Sequence, residues 1–213
     1  MTSATDPRFA VLVPVKRTAL AKSRLAGLGE ELRRQLATAF ALDTVTAVLS
    51  CDLVERTLVV TDDSALASTL ARMGAEVVPD GRSGLNGALV QAAAEMHRRD
   101  RSLALAAVCA DVPALRPEEL ALALRAAAPD GMSFVADAER VGTTAVVAPT
   151  RDAFRPAFGA GSRRAHLDAG AFEVDAVDVP GLRRDVDDPV GLLAARRLGL
   201  GAHTSLVAAR LRL

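Results

Sequence analysis

Short apolar runs alternate with stretches of helical periodicity along the first half of this chain. Phe9 to Val13 is uninterrupted and closed by Pro14, and Arg56 to Thr61, Glu76 to Val78 and Leu103 to Cys109 repeat the pattern. Runs this short, bounded by turn formers, predict buried strands. Between them Glu30 to Leu49 sets Leu32, Leu36, Ala39, Phe40, Val45 and Val48 at helical spacing with polar residues between, which predicts an amphipathic helix. Asp62, Asp63 and Ser64 are N-cap candidates for a helix from Ala65 to Met73, and Gly74 closes it. The loop Pro79 to Gly84 leads through LNGAL into a helix-forming run, Gly87 to Arg98, and Pro117 followed by Glu118 and Glu119 opens another helix. Strand and helix thus alternate with short connections, which predicts an α/β fold with a mostly parallel sheet and right-handed crossovers. Leu103 to Cys109, apolar throughout, is the predicted central strand.

The second half is less regular. Ser133 to Ala136 and Thr143 to Ala148 read as strands around a turn at Asp137 to Gly142, and Phe172 to Val179 reads as another. Phe154 to His166, FRPAFGAGSRRAH, is too polar and glycine-rich for a core element, and such a loop inside a compact domain is commonly functional. Arg184 to Pro189 precedes a helix, Val190 to Leu198, and Gly199 to Leu213 is a tail with some helical character.

Composition narrows the function. The chain has 213 residues, half of them hydrophobic, enough for one sizeable core and a single domain over 1–213. With 26 basic and 26 acidic residues there is no excess charge to favour nucleic acid, and with 3% aromatics no stacking platform for single strands. The apolar runs are too short for a membrane span, and the N-terminus MTSATDPRF lacks the features of a secretory signal, so a cytoplasmic protein is expected. Cys51 and Cys109 lie in or beside apolar stretches and read as buried free thiols.

Candidate chemistry sits at the ends of the predicted strands. After Pro14 come Lys16, Arg17, Lys22, Ser23 and Arg24 without an acid among them. Taken singly each reads as a surface residue. Together, at the carboxyl end of a strand, they form an anion site with a triphosphate as the natural guest. The pattern is neither a Walker loop nor a GxGxxG fingerprint. Asp111 ends the most hydrophobic strand, where a carboxylate is placed for a metal, and it stands too early to cap the helix at Pro117. Asp185 and Asp187 flank Val186, so in an extended segment they share a face and repel unless a cation such as Mg²⁺ joins them. Asp188, before Pro189, reads as an N-cap. Gly159-Ala160-Gly161-Ser162, followed by Arg163 and Arg164, is either a flexible turn or a loop whose amides, with Ser162 as cap, receive an anion. Thr143 and Thr144 bring hydroxyls to the same region. Asn86 has two readings, cap of the next helix or reader of a base edge. None of His97, His166 and His203 has a partner pattern that points to catalysis.

VPVKRTALAKSRL, LNGAL, ADVPAL, GTTAVV, FGAGSRRAH and RRDVDDP, in this order, resemble the guanylyltransferases that make the activated lactyl or enolpyruvyl precursor of the deazaflavin coenzyme F420, above all the actinobacterial phosphoenolpyruvate type. The resemblance spans almost the whole chain. It implies a three-layer α/β/α, nucleotide-diphospho-sugar-transferase-like (Rossmann-like) fold and condensation of GTP with phosphoenolpyruvate to enolpyruvoyl-2-diphospho-5′-guanosine and pyrophosphate. Lys22, Arg24 and Asp111 are then catalytic, while Lys16, Lys22, Ser23 and Arg24, with Asn86, face the nucleotide. Thr144, Gly159 and Ser162 hold phosphoenolpyruvate, and Asp111, Asp185 and Asp187 hold Mg²⁺. A downstream deazaflavin transferase is the implied partner, and a homo-oligomer stays open. Two departures stand out: Ala110 replaces a glycine common in relatives, and Gly142-Thr143-Thr144 is one residue shorter than the family's GTGT, which puts the role of Thr143 in question. As acceptors 2-phospho-L-lactate and 3-phosphoglycerate stay open, as does a non-catalytic nucleotide-binding module of the same fold.

Overall fold

The computed structural model describes residues 7–15, 27–80 and 84–211. Seven strands among them, β1 (Phe9–Pro14), β2 (Val54–Val60), β3 (Glu76–Val78), β4 (Ala104–Val108), β5 (Ser133–Ala136), β6 (Thr143–Ala148) and β7 (Phe172–Glu173), form one sheet in the order β3-β2-β1-β4-β6-β5-β7. β1 pairs parallel with β2 and β4, β2 with β3, and β5 with β7, whereas β6 runs antiparallel to both β4 and β5. The chain therefore builds outward from β1 to β3 and then crosses back to place β4 on the other side of β1. That reversal makes the carboxyl ends of β1 and β4 the topological switch point, where open α/β sheets bind ligands. β4 is the fourth strand of seven, at the centre, as its continuous hydrophobicity predicts.

Alternation along the strands divides the core between the two faces of the sheet. Val11, Val13, Val59, Ala106 and Val108 face α1 (Glu30–Leu49), α2 (Ser64–Arg72) and α4 (Pro117–Arg125), which contribute Val45, Leu66, Leu70, Leu120 and Leu124. Leu12, Leu58, Val60, Leu105, Phe134 and Val146 face α3 (Gly84–Arg99), whose Leu89, Ala92 and Met96 cover them. Each fully buried Leu or Phe contributes on the order of 1.5–3 kcal/mol by leaving water.

The last strand expected is shorter than its prediction, the glycine-rich loop contains a helix, and the tail has the helical character expected of it. The strand predicted over Phe172–Val179 pairs only through Phe172 and Glu173 as β7. Beyond it, the Arg183 guanidinium donates to the carbonyls of Ala136 (3.1 Å) and Val174 (2.7 Å), so a side chain replaces the ladder and the chain turns into α6 (Pro180–Arg183). The glycine-rich loop holds a short helix, α5 (Ser162–Asp168), and the tail beyond α7 (Pro189–Leu198) folds as α8 (Ala202–Ala208). α8 docks because Asp43, buried inside α1, accepts from the backbone N–H groups of His203 (2.9 Å) and Thr204 (2.7 Å). Gly201 makes room for that carboxylate, which a Cβ there would strike. Asp43→Ala removes this cap and is expected to cost about 1–2 kcal/mol. For a chain of this length that lowers Tm by roughly 2–8 °C, readable by calorimetry.

Candidate active site

Asp111, Asp185 and Asp187 meet at the switch point. Each offers a carboxylate oxygen, and the three oxygens lie within 4.8 Å of one another. Asp111 follows β4 by three residues, and its carbonyl accepts the Val186 N–H at 2.9 Å, which ties the distant segment to the end of the central strand. Val186 is fully buried in a third apolar cluster with Leu36, Phe40, Ala114, Leu192 and Ala195. The side chain between the two aspartates is thus pegged inward, and Asp185 and Asp187 emerge together on the other face, as their alternation predicts. Upstream, Arg183 is bound to the end of β5, the Ala138 N–H donates to the Arg183 carbonyl (2.8 Å), and Arg184 pairs with Glu139. Asp188 caps α7 by accepting the Gly191 N–H at 2.7 Å, as expected.

Sequence patterning did not single out Asp137 and Glu139, which lie within the same 4.8 Å reach of Asp185. Both have structural partners: Asp137 accepts the N–H groups of Val141 (2.8 Å) and Gly142 (2.7 Å), and Glu139 binds Arg184. A Cβ at Gly142 would press on the Asp137 carboxylate and disturb its bonds to the Val141 and Gly142 N–H groups.

The antiparallel course of β6 brings its amino end to the edge where β4 leaves the sheet. Cys109 N–H donates to the Thr144 carbonyl (2.8 Å), and its thiol, half-buried where a buried one was expected, points to the Thr143 carbonyl (3.5 Å). Cys51 is buried as expected, and that burial pushes its thiol pKa up. Thr144 is almost completely buried, with its hydroxyl 3.5 Å from the Val135 carbonyl. β5 and β6 shift register here: Val135 faces Ala145 but Ala136 faces Thr143, so Thr144 is the extra residue of a bulge. The bulge turns Thr143 to the Ala136 side, where its hydroxyl meets His166 Nδ1 at 3.0 Å.

The Gly159–Ser162 loop follows Ala157 and Phe158. Gly159 (φ 141°) and Gly161 (φ 67°) occupy backbone conformations that disfavour a side chain, although a Cβ at either would meet nothing. Ser162 is buried as the first residue of α5; Gly161 stands at the N-cap position, so Ser162 is not the cap expected of it. Arg163 binds Glu173 (2.8 Å) and Arg164 binds Asp168 (2.8 Å), so both guanidinium groups have acidic partners.

Asn86 is also placed differently from expectation. α3 begins at Gly84, so Asn86 lies inside the helix and cannot cap it. Its amide meets the Phe158 backbone twice, donating to the carbonyl and accepting the N–H, both at 2.9 Å. One N–H and one lone pair of the amide are thereby committed to the Phe158 backbone. Asp63 caps α2 through the Leu66 N–H (3.0 Å), while Asp62 holds the Asp80 N–H (3.0 Å). Lys16, Lys22, Ser23 and Arg24 lie outside the described residues.

A three-layer α/β fold with this sheet order is the nucleotide-diphospho-sugar-transferase-like fold. The chain superposes on the solved structure of a nucleotidyl transferase from Methanothermobacter thermautotroptrophicus with a TM-score of 0.60 at 17% identity, over 89% of this chain and 96% of the other. The family model described as "Guanylyl transferase CofC like" matches residues 9–188, and the chain belongs to that family. Among curated relatives, a phosphoenolpyruvate guanylyltransferase of Thermomonospora curvata is 47% identical, covering 95% of this chain and 90% of its own length. One of Streptosporangium roseum is 44% identical, covering 100% and 96%. No described helix is long and apolar enough to cross a membrane.

Proposed function

We propose that this chain is a single-domain guanylyltransferase, spanning 1–213, that condenses GTP with phosphoenolpyruvate in coenzyme F420 biosynthesis. A phosphate oxygen of phosphoenolpyruvate attacks the α-phosphorus of GTP; the new P–O bond forms as the α–β bridging bond breaks, and pyrophosphate leaves. The products are pyrophosphate and enolpyruvoyl-2-diphospho-5′-guanosine, the latter passing to a deazaflavin transferase. The observation that carries the reading is the convergence of Asp111, Asp185 and Asp187 at the switch point in a chain of the guanylyl transferase family.

Three carboxylates within 4.8 Å repel one another without a cation, and an all-oxygen donor set suits a hard divalent ion. Mg²⁺ fits, held by Asp111, Asp185 and Asp187; when bound it neutralises phosphate charge and helps orient GTP. The chain's own work is positioning. Lys16, Lys22, Ser23 and Arg24 are assigned to the GTP phosphates, with Lys22 and Arg24 offsetting charge on the leaving pyrophosphate. Thr144, Gly159 and Ser162 are assigned to phosphoenolpyruvate, and Asn86 supports that side through Phe158. Bringing two anions together in line is the main task, which these groups meet by orientation and charge.

The test mixes purified protein with GTP, Mg²⁺ and phosphoenolpyruvate and follows pyrophosphate, with 2-phospho-L-lactate and 3-phosphoglycerate as competing acceptors and the downstream transferase added to trap product. Absence of pyrophosphate with GTP demonstrably bound would sink the assignment. Lys22→Ala and Arg24→Ala are each expected to raise KM for GTP about tenfold or more, as for a lost hydrogen bond to a charged group, with a smaller change for phosphoenolpyruvate. The opposite order in initial-rate kinetics would show that the two substrates are assigned to the wrong halves.

A further inference from the structure

His166 belongs to none of the substrate or metal assignments above, yet it is fully buried beside them. Its ring stacks on Phe134 (centroids 5.3 Å apart, planes at 23°) and meets Phe158 edge-on (5.9 Å, 81°). Nε2 lies 3.0 Å from the Ala157 nitrogen and Nδ1 lies 3.0 Å from Thr143 Oγ1. The geometry decides the tautomer. A backbone N–H can only donate, so Nε2 accepts from Ala157, and the neutral ring carries its proton on Nδ1. The Nδ1 proton is then directed to Thr143 Oγ1 and the Ser162 carbonyl, both acceptors, and the hydroxyl's own proton is directed away from the imidazole.

We propose that His166 is a positioning residue for the acceptor half of the site. Through Nδ1–H it sets the Thr143 hydroxyl as a donor at the amino end of β6, and through Nε2 it pins Ala157 ahead of the Gly159–Ser162 loop. The bulge at Thr144 makes this contact, since it turns Thr143 to the face that holds Phe134, Phe158 and His166. Asn86 clamps the next residue, Phe158, from α3, so the approach to the loop is held at two successive residues. Burial favours the neutral imidazole by lowering its pKa, with the Ser162 carbonyl opposing to a lesser extent. The inference rests on the reading of Thr144, Gly159 and Ser162 as the phosphoenolpyruvate side.

Two substitutions divide the roles of the ring. His166→Gln can keep an acceptor for Ala157 while losing the donor to Thr143, and His166→Asn can keep the donor while losing the acceptor. Each is expected to raise KM for phosphoenolpyruvate about tenfold, with KM for GTP changed less than about twofold. Thr143→Val is expected to match His166→Gln, and Thr143→Ser to restore the wild-type value. KM values for both substrates rising together, or Thr143→Val leaving phosphoenolpyruvate kinetics unchanged, would overturn the proposal. A second readout does not depend on turnover: imidazole ¹⁵N shifts of the wild-type protein, assigned with His97 and His203 replaced, are expected to show His166 neutral and protonated on Nδ1 near neutral pH. Protonation on Nε2, or a charged ring, would equally overturn it. If the wild-type protein releases no pyrophosphate from GTP and phosphoenolpyruvate, the functional reading fails, and the ¹⁵N result alone decides the orientation of His166.

Discussion

Asp111→Asn is expected to lower Mg²⁺-dependent pyrophosphate release by a factor on the order of 10² to 10³, the range seen when a preorganised electrostatic group is removed from a transition state. The substitution keeps the shape of the side chain and removes one of three negative charges that face a common point. It spares the tie that builds the site, because the Val186 N–H bonds to the Asp111 backbone carbonyl, which any residue supplies. The loss should therefore appear in kcat and in the Mg²⁺ concentration needed for half-maximal rate, with thermal stability little changed. Asp187→Asn is expected to behave similarly. Asp188→Asn provides the contrast, since Asp188 accepts the Gly191 N–H as an N-cap and Asn caps about as well as Asp. Near-wild-type activity is expected there. Initial rates across a Mg²⁺ series for the three variants check this, and equal losses at Asp188 and Asp111 would mean that the wrong acids have been placed on the metal.

Where a residue acts through short-range rules, its place was legible in the sequence. The apolar run of β4 led to Asp111, and the alternation about Val186 put Asp185 and Asp187 on one face, where the structure has them. What eluded patterning depends on contacts between distant segments. Asn86 gave no sign of its partner, because nothing local reveals that Phe158, 72 residues later, presents its backbone to the amide. His166 looked isolated because Thr143 reaches it through a bulge in β6, a feature of register between two strands. The strand predicted at Phe172–Val179 ended early for a similar reason: the competing donor was the side chain of Arg183, which has no signature in the strand itself.

Gly181→Ala is expected to destabilise the protein and loosen its hold on Mg²⁺ at once. Gly181 is buried in α6, where an added Cβ would collide with the Ala114 carbonyl and the Glu119 carboxylate. The same Glu119 accepts the N–H groups of Gly181 (2.9 Å) and Arg116 (3.2 Å), so the clash also disturbs the bonds that seat α6 against α4. A backbone carbonyl cannot move aside as a flexible side chain can, and overpacking of this kind costs typically 1–3 kcal/mol. In a chain of this length that corresponds to a Tm loss of roughly 2–12 °C. α6 ends at Arg183 and runs directly into Arg184 and Asp185, so its displacement should move Asp185 and Asp187 relative to Asp111 and raise the half-saturating Mg²⁺ concentration several-fold. Asp43→Ala separates this from simple destabilisation, because its carboxylate caps α8, and neither Asp43 nor its partners His203 and Thr204 belongs to the acidic cluster. Calorimetry and Mg²⁺ titration of both variants give the comparison: each should lower Tm, but only Gly181→Ala should shift the Mg²⁺ requirement. Parallel shifts would show that α6 does not set the spacing of the aspartates.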